Sequence, residues 1–288
     1  MKPSDYLLYG ITVFGWSTSW LPLRWQLGVV APEVSLFWRF LIASLLMFAI
    51  TRLMGKSVII PWRHHPRLAA MGLFLFSLNF TMFYYGGLHT ASGMLAVVFA
   101  TASIMIMLLM AVIQRRLPRA VHMLAALMGF AGVGIIFAPM IDLSGAIMTT
   151  LVLCLIGTLV FSTGSVISSS NQGIGLPVMA SNCWGMAYGA LYLGLASLFR
   201  GHEFIIEPSV TYVGGLLWLA VVSSVGSFTA YLLLVGSIGP GRAGYATVVF
   251  PVFALMISSL IEGYQWSLMA VAGLVLVSLG NWLMVRYR

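Results

Sequence analysis

A polar residue followed four positions later by an aromatic ring occurs twice in the apolar part of this chain. Asn79 precedes Phe83 in one long apolar run, and Ser227 precedes Tyr231 in another. Residues four apart share a face of a helix, so each pair would place a hydrogen-bonding group beside a ring. An unpaired amide or hydroxyl is costly in hydrocarbon. The pattern predicts two related walls of a binding cavity, while hydrogen bonds that hold a helix bundle together would use the same residue types.

Further aromatic rings occur at matched depths in the two halves of the chain. Trp16 is the deepest tryptophan of its apolar run and corresponds to Phe161, and Phe99 corresponds to Phe250. Such rings would form stacking walls for an apolar or aromatic group, or they would be packing residues that face lipid. The complete candidate set for substrate binding is Trp16, Ser17, Asn79, Phe83, Tyr84, Phe99, Phe161, Ser162, Trp184, Tyr188, Ser227, Tyr231, Tyr245 and Phe250.

Arg39 is the one fixed charge well inside an apolar run, about 9 Å from its start at the helical rise of 1.5 Å per residue. Its side chain would reach the outer headgroups or bind neighbouring helix carbonyls. The alternative hypothesis is that it attracts the carboxylate of a substrate. No aspartate or glutamate lies at mid-depth, so the sequence lacks the usual carboxylate of a proton relay. Coupling to a proton or another ion therefore has no support in the sequence.

Sequence signatures of catalysis and of metal binding are absent. No GxSxG, HExxH or P-loop pattern occurs. His64 and His65 are adjacent in a basic stretch, and adjacent histidines point to different faces of most backbones, which disfavours a metal site. Cys154 and Cys183 lie within apolar runs, which disfavours a disulfide. We therefore expect no cofactor and no metal.

The candidate residues lie in long apolar runs that are typical of a membrane protein. The 288 residues are 61% hydrophobic and contain 14 Lys and Arg and 6 Asp and Glu, too few charges to cover a soluble surface. A bilayer core requires about 20 apolar residues per helix, and the alternation of a transmembrane barrel is absent. The ten predicted spans, numbered here in chain order, are Tyr6–Leu23, Val34–Leu53, Leu68–Leu88, Ala91–Ile113, Met123–Met140, Gly145–Ser169, Val178–Phe199, Tyr212–Val235, Ala243–Ile261 and Ser267–Val285.

A motif repeated once in each half indicates an internal duplication. The stretch GMLAVVF at Gly93–Phe99 returns as GYATVVF at Gly244–Phe250. We predict two copies of one five-span unit, at residues 1–141 and 145–288. An odd number of spans forces the second copy to enter the membrane from the opposite side, as in many secondary transporters. The predicted fold is an all-α polytopic membrane protein, with ten transmembrane helices in two inverted five-helix repeats around a central cavity.

The distribution of basic residues predicts the orientation. With a cytoplasmic N-terminus, the outer loops contain only Arg24 and Arg200 as bases, and all other Lys and Arg except Arg39 face inward. This positive-inside pattern places both termini in the cytoplasm, with the chain in the inner (plasma) membrane. The net charge of +8 is a topology signal, and nucleic-acid binding is not expected because the bases lie in short loops. The tryptophans expected in interfacial belts are Trp20, Trp25, Trp62, Trp266 and Trp282.

The whole chain resembles the drug/metabolite transporter superfamily, in the branch with two EamA-type domains. The residues that carry the resemblance are Trp16-Ser17-Thr18, Arg39-Phe40, the two stretches Gly93–Phe99 and Gly244–Phe250, Pro251 and Glu262. Within that superfamily the chain is most similar to the YddG-type amino-acid exporters. The resemblance implies an exporter or facilitator of small metabolites, including aromatic or hydrophobic amino acids, that works by alternating access.

An alternative from another class is a membrane-embedded enzyme that acts on a lipid-linked substrate. Such an enzyme requires a nucleophile, a metal site or paired carboxylates near one membrane face, and the sequence offers none. The expected partners are a small-molecule substrate and the lipid bilayer. The sequence leaves the oligomeric state open.

Overall fold

The described part of the chain is helical from end to end. A computed structural model describes residues 3–115, 117–140, 145–239, 243 and 246–286, and no strand occurs in these ranges. The helices follow the predicted spans. They are Pro3–Ser17 and Trp20–Arg24 (span 1), Pro32–Leu53 (span 2), Trp62–His64, His65–Leu73, Phe74–Leu78, Asn79–Gly86 and Gly87–His89 (span 3), Ser92–Phe99 and Ala102–Ile113 (span 4), Ala120–Phe137 and Ala138–Met140 (span 5), Ala146–Gly173 (span 6), Val178–Phe199 (span 7), Val210–Trp218, Leu219–Ser227 and Phe228–Ile238 (span 8), Ala246–Glu262 (span 9) and Leu268–Arg286 (span 10).

Six of the described helical stretches are long and apolar enough to cross a bilayer, and two shorter apolar helices follow near the C-terminus. The six are Pro32–Leu53, Trp62–His89, Ser92–Ile113, Ala120–Phe137, Ala146–Gly173 and Val210–Ile238. Helices satisfy all backbone hydrogen bonds internally, which hydrocarbon demands. The chain is a polytopic helical membrane protein, as the sequence predicts.

Local sequence signals set the ends of the spans. Pro32 occupies the first turn of span 2, where its missing N–H costs nothing. Ser209 begins span 8, and its side chain accepts a hydrogen bond of 3.2 Å from the backbone N–H of Tyr212. Gly201 and Gly263 follow spans 7 and 9 with φ of 70° and 69°. This left-handed conformation terminates a helix and favours glycine over other residues.

The contacts between spans repeat with a period of five spans. Span 3 packs against span 6 as span 8 packs against span 1, and span 4 contacts span 6 as span 9 contacts span 1. Span 2 likewise packs against span 8 in the way that span 7 packs against span 3. In addition, three spans of the first unit pack against their own counterparts in the second: span 2 against span 7, span 4 against span 9, and span 5 against span 10. This pattern is that of two equivalent units related by a twofold axis. Because each unit has five spans, the two units are inverted in the membrane.

Spans 5 and 10 show how closely the two units approach. A Cβ atom placed on Gly132 would lie 2.6 Å from the backbone oxygen of Gly273, and one on Gly280 would lie 2.7 Å from the backbone oxygen of Ala125. The pairing of low with high residue numbers shows that the two helices are antiparallel. Small residues at such interfaces allow backbones to pack directly, which replaces the missing hydrophobic drive between helices in lipid.

The two π-helical segments lie at corresponding positions of spans 3 and 8. Phe74–Leu78 interrupts span 3, and Leu219–Ser227 interrupts span 8. Segments of this type are rare in helices and occur frequently at functional sites, because the extra residue per turn re-aims the side chains that follow. Both segments directly precede residues that surround the cavity described below.

Candidate substrate cavity

A small internal cavity lies where span 8 meets spans 1 to 4. Its volume is about 40 Å³, enough for ordered water but not for an amino acid. A larger substrate therefore enters only when the lining side chains move apart. The lining residues are Trp16, Ser19, Trp20, Leu23, Arg39, Asn79, Phe80, Phe83, Phe99, Leu219, Ser223 and Phe228.

Trp16 is the centre of an aromatic cluster beside this cavity. Its ring centroid lies 4.8 Å from that of Tyr231 and 5.5–6.0 Å from those of four phenylalanines contributed by spans 4, 6, 8 and 9. Most of these contacts are edge-to-face, the favourable geometry for ring quadrupoles. The four phenylalanines are Phe99, Phe161, Phe228 and Phe250. The structure thus brings the predicted ring pairs together around one residue.

A break in span 1 allows two tryptophans to face the cluster. Ser17 and Thr18 donate hydrogen bonds to backbone oxygens four residues earlier, at 2.6 and 2.9 Å, and Ser19 does the same. Such side-chain bonds compete with the helical ladder and bend helices. The helix ends at Ser17 and resumes at Trp20. The ring of Trp20 stacks at 12° on Phe250, with the centroids 6.2 Å apart.

Arg39 lies in the cavity wall and is 1% exposed. Its Nε donates to Ser224 Oγ at 3.0 Å, and one terminal nitrogen, Nη2, donates to Ser223 Oγ at 3.2 Å. The guanidinium carbon also lies 4.3 Å from the ring centroid of Phe80, within the range of a cation–π interaction. Two consecutive serines reach one guanidinium because they belong to the π-helical segment of span 8.

Several polar atoms of the lining residues lack hydrogen-bond partners among the described residues. They are the indole nitrogens of Trp16 and Trp20, the second terminal nitrogen of Arg39 (Nη1) and the amide oxygen of Asn79 (Oδ1). All four side chains are at most 8% exposed. Buried polar atoms in native proteins are nearly always paired, so four residues that line the cavity have unsatisfied hydrogen-bonding capacity.

The serine hydroxyls of the candidate set lie in helix contacts. Ser17 and Ser162 donate to carbonyls of their own helices and, at 3.4 and 3.3 Å, to the carbonyls of Phe250 and Ala102. Ser227 donates to the carbonyl of Ile11 at 3.1 Å. These bonds link span 1 to spans 8 and 9, and span 6 to span 4. They correspond to the bundle-stabilising alternative considered for such residues.

The tyrosines and Trp184 divide among three places. Tyr231 belongs to the aromatic cluster, whereas Tyr84 donates to the side-chain oxygen of Gln26 at 2.6 Å. Trp184 and Tyr188 lie apart from the cavity and pack with His65, whose Nδ1 is 2.7 Å from the Tyr188 hydroxyl. Tyr245 lies outside the described residues.

Several cavity residues were not among the sequence candidates. Trp20, expected in an interfacial belt, is 8% exposed and lines the cavity, whereas the other expected belt tryptophans are 40–79% exposed. Its spacing of four residues from Trp16 was the available signal, because it places both rings on one helix face. Ser223 had no such signal, since the π-helical segment alone turns it toward Arg39. The remaining unforeseen lining residues are Ser19, Leu23, Phe80, Leu219 and Phe228.

Two acidic clusters join the repeats at the end of the bundle opposite Pro3, called here the far end. Glu33 of span 2 contacts Arg200 and accepts a hydrogen bond of 3.0 Å from Tyr85, and its carboxylate raises the pKa of Arg200. Glu262 of span 9 pairs with Arg24 at 3.0 Å and accepts bonds from the N–H and hydroxyl of Ser92, at 3.0 and 2.5 Å. Both carboxylates therefore link the two repeats at the far end.

No group of three or more potential metal ligands from His, Cys, Asp and Glu occurs within the described ranges. His64 belongs to no such group, and Cys154 and Cys183 are both free and buried. The chemistry available at the cavity is therefore that of aromatic faces, hydrogen-bond donors and one guanidinium.

Two inverted five-span repeats that meet around a small aromatic cavity define a transporter of the two-repeat class. The chain belongs to the EamA-like transporter family, whose sequence model matches residues 4–138 and 148–286. The resemblance inferred from the short motifs of spans 1, 2, 4 and 9 is thereby confirmed at the level of the family.

Relatives match over nearly the whole chain. An uncharacterized transporter of Archaeoglobus fulgidus is 23% identical over 98% of this chain and 99% of its own length. The uncharacterized inner membrane transporter YedA of Escherichia coli K12 is 28% identical over 96% of this chain and 89% of its own. A solved crystal structure superimposes with a TM-score of 0.73 at 17% identity, covering 98% of this chain and 96% of that one. This last similarity concerns the fold alone.

Proposed function

We propose that this transporter moves amino acids, including aromatic and hydrophobic ones, across the inner membrane by alternating access. The observation that carries the proposal is the cavity, whose lining residues include a wall of rings and four side chains with unpartnered polar atoms. An amino acid with an apolar side chain has the same two-part character. The rings would contact its side chain, and the polar atoms would bind its charged end.

The far-end clusters support alternating access. Glu33 and Glu262 each bind residues of both repeats, so the far end opens only when these contacts break. The cavity of about 40 Å³ is small for the proposed substrate, so the lining side chains would have to move apart during transport. Inverted repeats supply the complementary state, because each half can adopt the arrangement of the other.

Counterflow in proteoliposomes tests the proposed function. Vesicles loaded with unlabelled phenylalanine, leucine or alanine should accumulate the same labelled amino acid from outside, with no pH, sodium or voltage gradient imposed. Saturable accumulation is expected because the cavity exchanges one substrate for another, and no mid-depth carboxylate offers a proton or sodium site. Protein-free vesicles are the control. Absence of counterflow for every amino acid tested would reject the proposal.

The proposed orientation places the end that contains Pro3 in the cytoplasm. The loop at this end that joins spans 2 and 3 contains exposed Ile59, and the far-end loop after span 7 contains exposed Glu203. The native Cys154 and Cys183 are buried and should give little background. The Glu203→Cys variant is expected to react with an impermeant maleimide in spheroplasts, whereas Ile59→Cys should react only after permeabilisation. The reverse labelling pattern would contradict this orientation.

A further inference from the structure

Arg39 is a deeply buried cation that forms no ion pair with the described residues. Glu33 and Glu262 form their ion pairs at the far end. Arg39 instead contacts the hydroxyls of Ser223 and Ser224 and the rings of Phe40 and Phe80, and it interacts with the hydroxyl of Tyr84. These groups are neutral. A buried charge without a counter-ion is strongly unfavourable, and such residues inside a membrane protein usually serve substrate or ion binding.

The unpartnered atoms around the same cavity form a chemically specific set. Three are donors, namely Arg39 Nη1 and the indole nitrogens of Trp16 and Trp20, and the fourth is the acceptor Asn79 Oδ1. All four residues line the same cavity. A carboxylate requires donors and binds a guanidinium by charge-assisted hydrogen bonds, while an ammonium group requires an acceptor.

We propose that Arg39 binds the carboxylate of the transported substrate, with the indole N–H groups of Trp16 and Trp20 as additional donors and Asn79 as the acceptor for its ammonium group. This inference rests on the proposed amino-acid transport and narrows the substrate to zwitterionic monocarboxylates. The substrate supplies the missing counter-ion, so a molecule without a carboxylate leaves Arg39 uncompensated.

The four proposed binding residues belong to the first repeat, and Arg39 has no equivalent cation in the second. By the correspondence of Pro32 with Pro177, the position equivalent to Arg39 is Trp184. The indole N–H of Trp184 is already used, in a bond of 2.9 Å to the carbonyl of Val58. The guanidinium therefore gives the nearly symmetric bundle a single anion site.

Competition with substrate analogues tests this inference first on the unmodified transporter. Counterflow of labelled phenylalanine is measured against unlabelled phenylalanine and against phenylalaninamide, in which a neutral amide replaces the carboxylate. Phenylalanine is expected to compete at a concentration about tenfold or more below that of the amide, since a hydrogen bond to a charged group contributes on this scale. Equal competition by the two compounds overturns the inference and leaves the proposed function standing.

Variants of Arg39 then test whether this residue causes the preference for phenylalanine over phenylalaninamide. Arg39→Gln removes the charge but keeps a donor, and it is expected to reduce the preference for the acid to about threefold or less. Arg39→Lys keeps the charge and should retain part of the preference. Arg52→Gln is the matched control, because Arg52 is exposed in the last turn of the same helix. A preference that persists in Arg39→Gln overturns the inference, whereas absence of amino-acid counterflow in the parent protein rejects the proposed function itself.

Asn79→Ala provides an independent check of the ammonium contact. In this variant the preference for phenylalanine over 3-phenylpropionate, which lacks the ammonium group, is expected to decrease, while the preference over phenylalaninamide is retained. Equal losses of both preferences would contradict the division of roles between Asn79 and Arg39.

Discussion

The Gly132→Leu variant is expected to yield little folded transporter. A Cβ atom at this position would lie 2.6 Å from the backbone oxygen of Gly273 and 2.9 Å from the backbone nitrogen of Val277. Both distances are shorter than van der Waals contact, and backbone atoms cannot rotate away as a flexible side chain can. Overpacking a core costs about 1–3 kcal/mol, and we expect a larger cost here because spans 5 and 10 would have to separate. Detergent extraction with size-exclusion chromatography measures the loss.

Gly134→Leu is the matched control for this substitution. Gly134 belongs to the same helix, but no atom lies within 4 Å of the position that its Cβ would occupy. Leucine also favours a helix more than glycine by nearly 1 kcal/mol. The control is expected to elute as the parent protein does and to unfold at an equal or higher temperature. Equal behaviour of the two variants would contradict direct backbone packing between spans 5 and 10.

Trp16→Ala is expected to reduce counterflow by about tenfold or more at equal amounts of reconstituted protein. Trp16 is 5% exposed and contacts rings of spans 4, 6, 8 and 9. Its removal takes away the centre of the ring wall proposed for the substrate side chain. Large-to-small aromatic substitutions in a core cost about 3–5 kcal/mol, so the thermal unfolding midpoint should also decrease.

Two further variants separate loss of the site from loss of the fold. Trp16→Phe retains a ring and should preserve folding while transport stays below the parental rate. Trp282→Ala is the matched control, since Trp282 is 41% exposed and contacts Arg286 near the C-terminus. It is expected to transport normally. Parental rates in a folded Trp16→Ala protein would show that the aromatic cluster is packing rather than a binding wall.

The sequence predicts most of the architecture, because the architecture depends on the length and hydrophobicity of each segment. Twenty-residue apolar runs mark the spans regardless of how they pack, and the repeated stretch ending at Phe99 and Phe250 identifies the two units. Matching positions in the repeats also singled out Trp16, Phe161, Phe99 and Phe250, whose rings lie near one another. A twofold relation brings equivalent residues to the axis, so sequence symmetry carries this spatial information.

The tertiary structure alone decides which polar side chains reach the cavity. Ser227 and Asn79 occupy equivalent positions, yet Ser227 is bonded to Ile11 of span 1. Asn79 instead lines the cavity, and its amide oxygen has no partner among the described residues. Ser223 reaches Arg39 because a π-helical segment alters the register of span 8, and no local sequence pattern predicts that change. The rotation of each helix about its axis, and hence the direction of its side chains, results from the packing of all its neighbours rather than from its own residues.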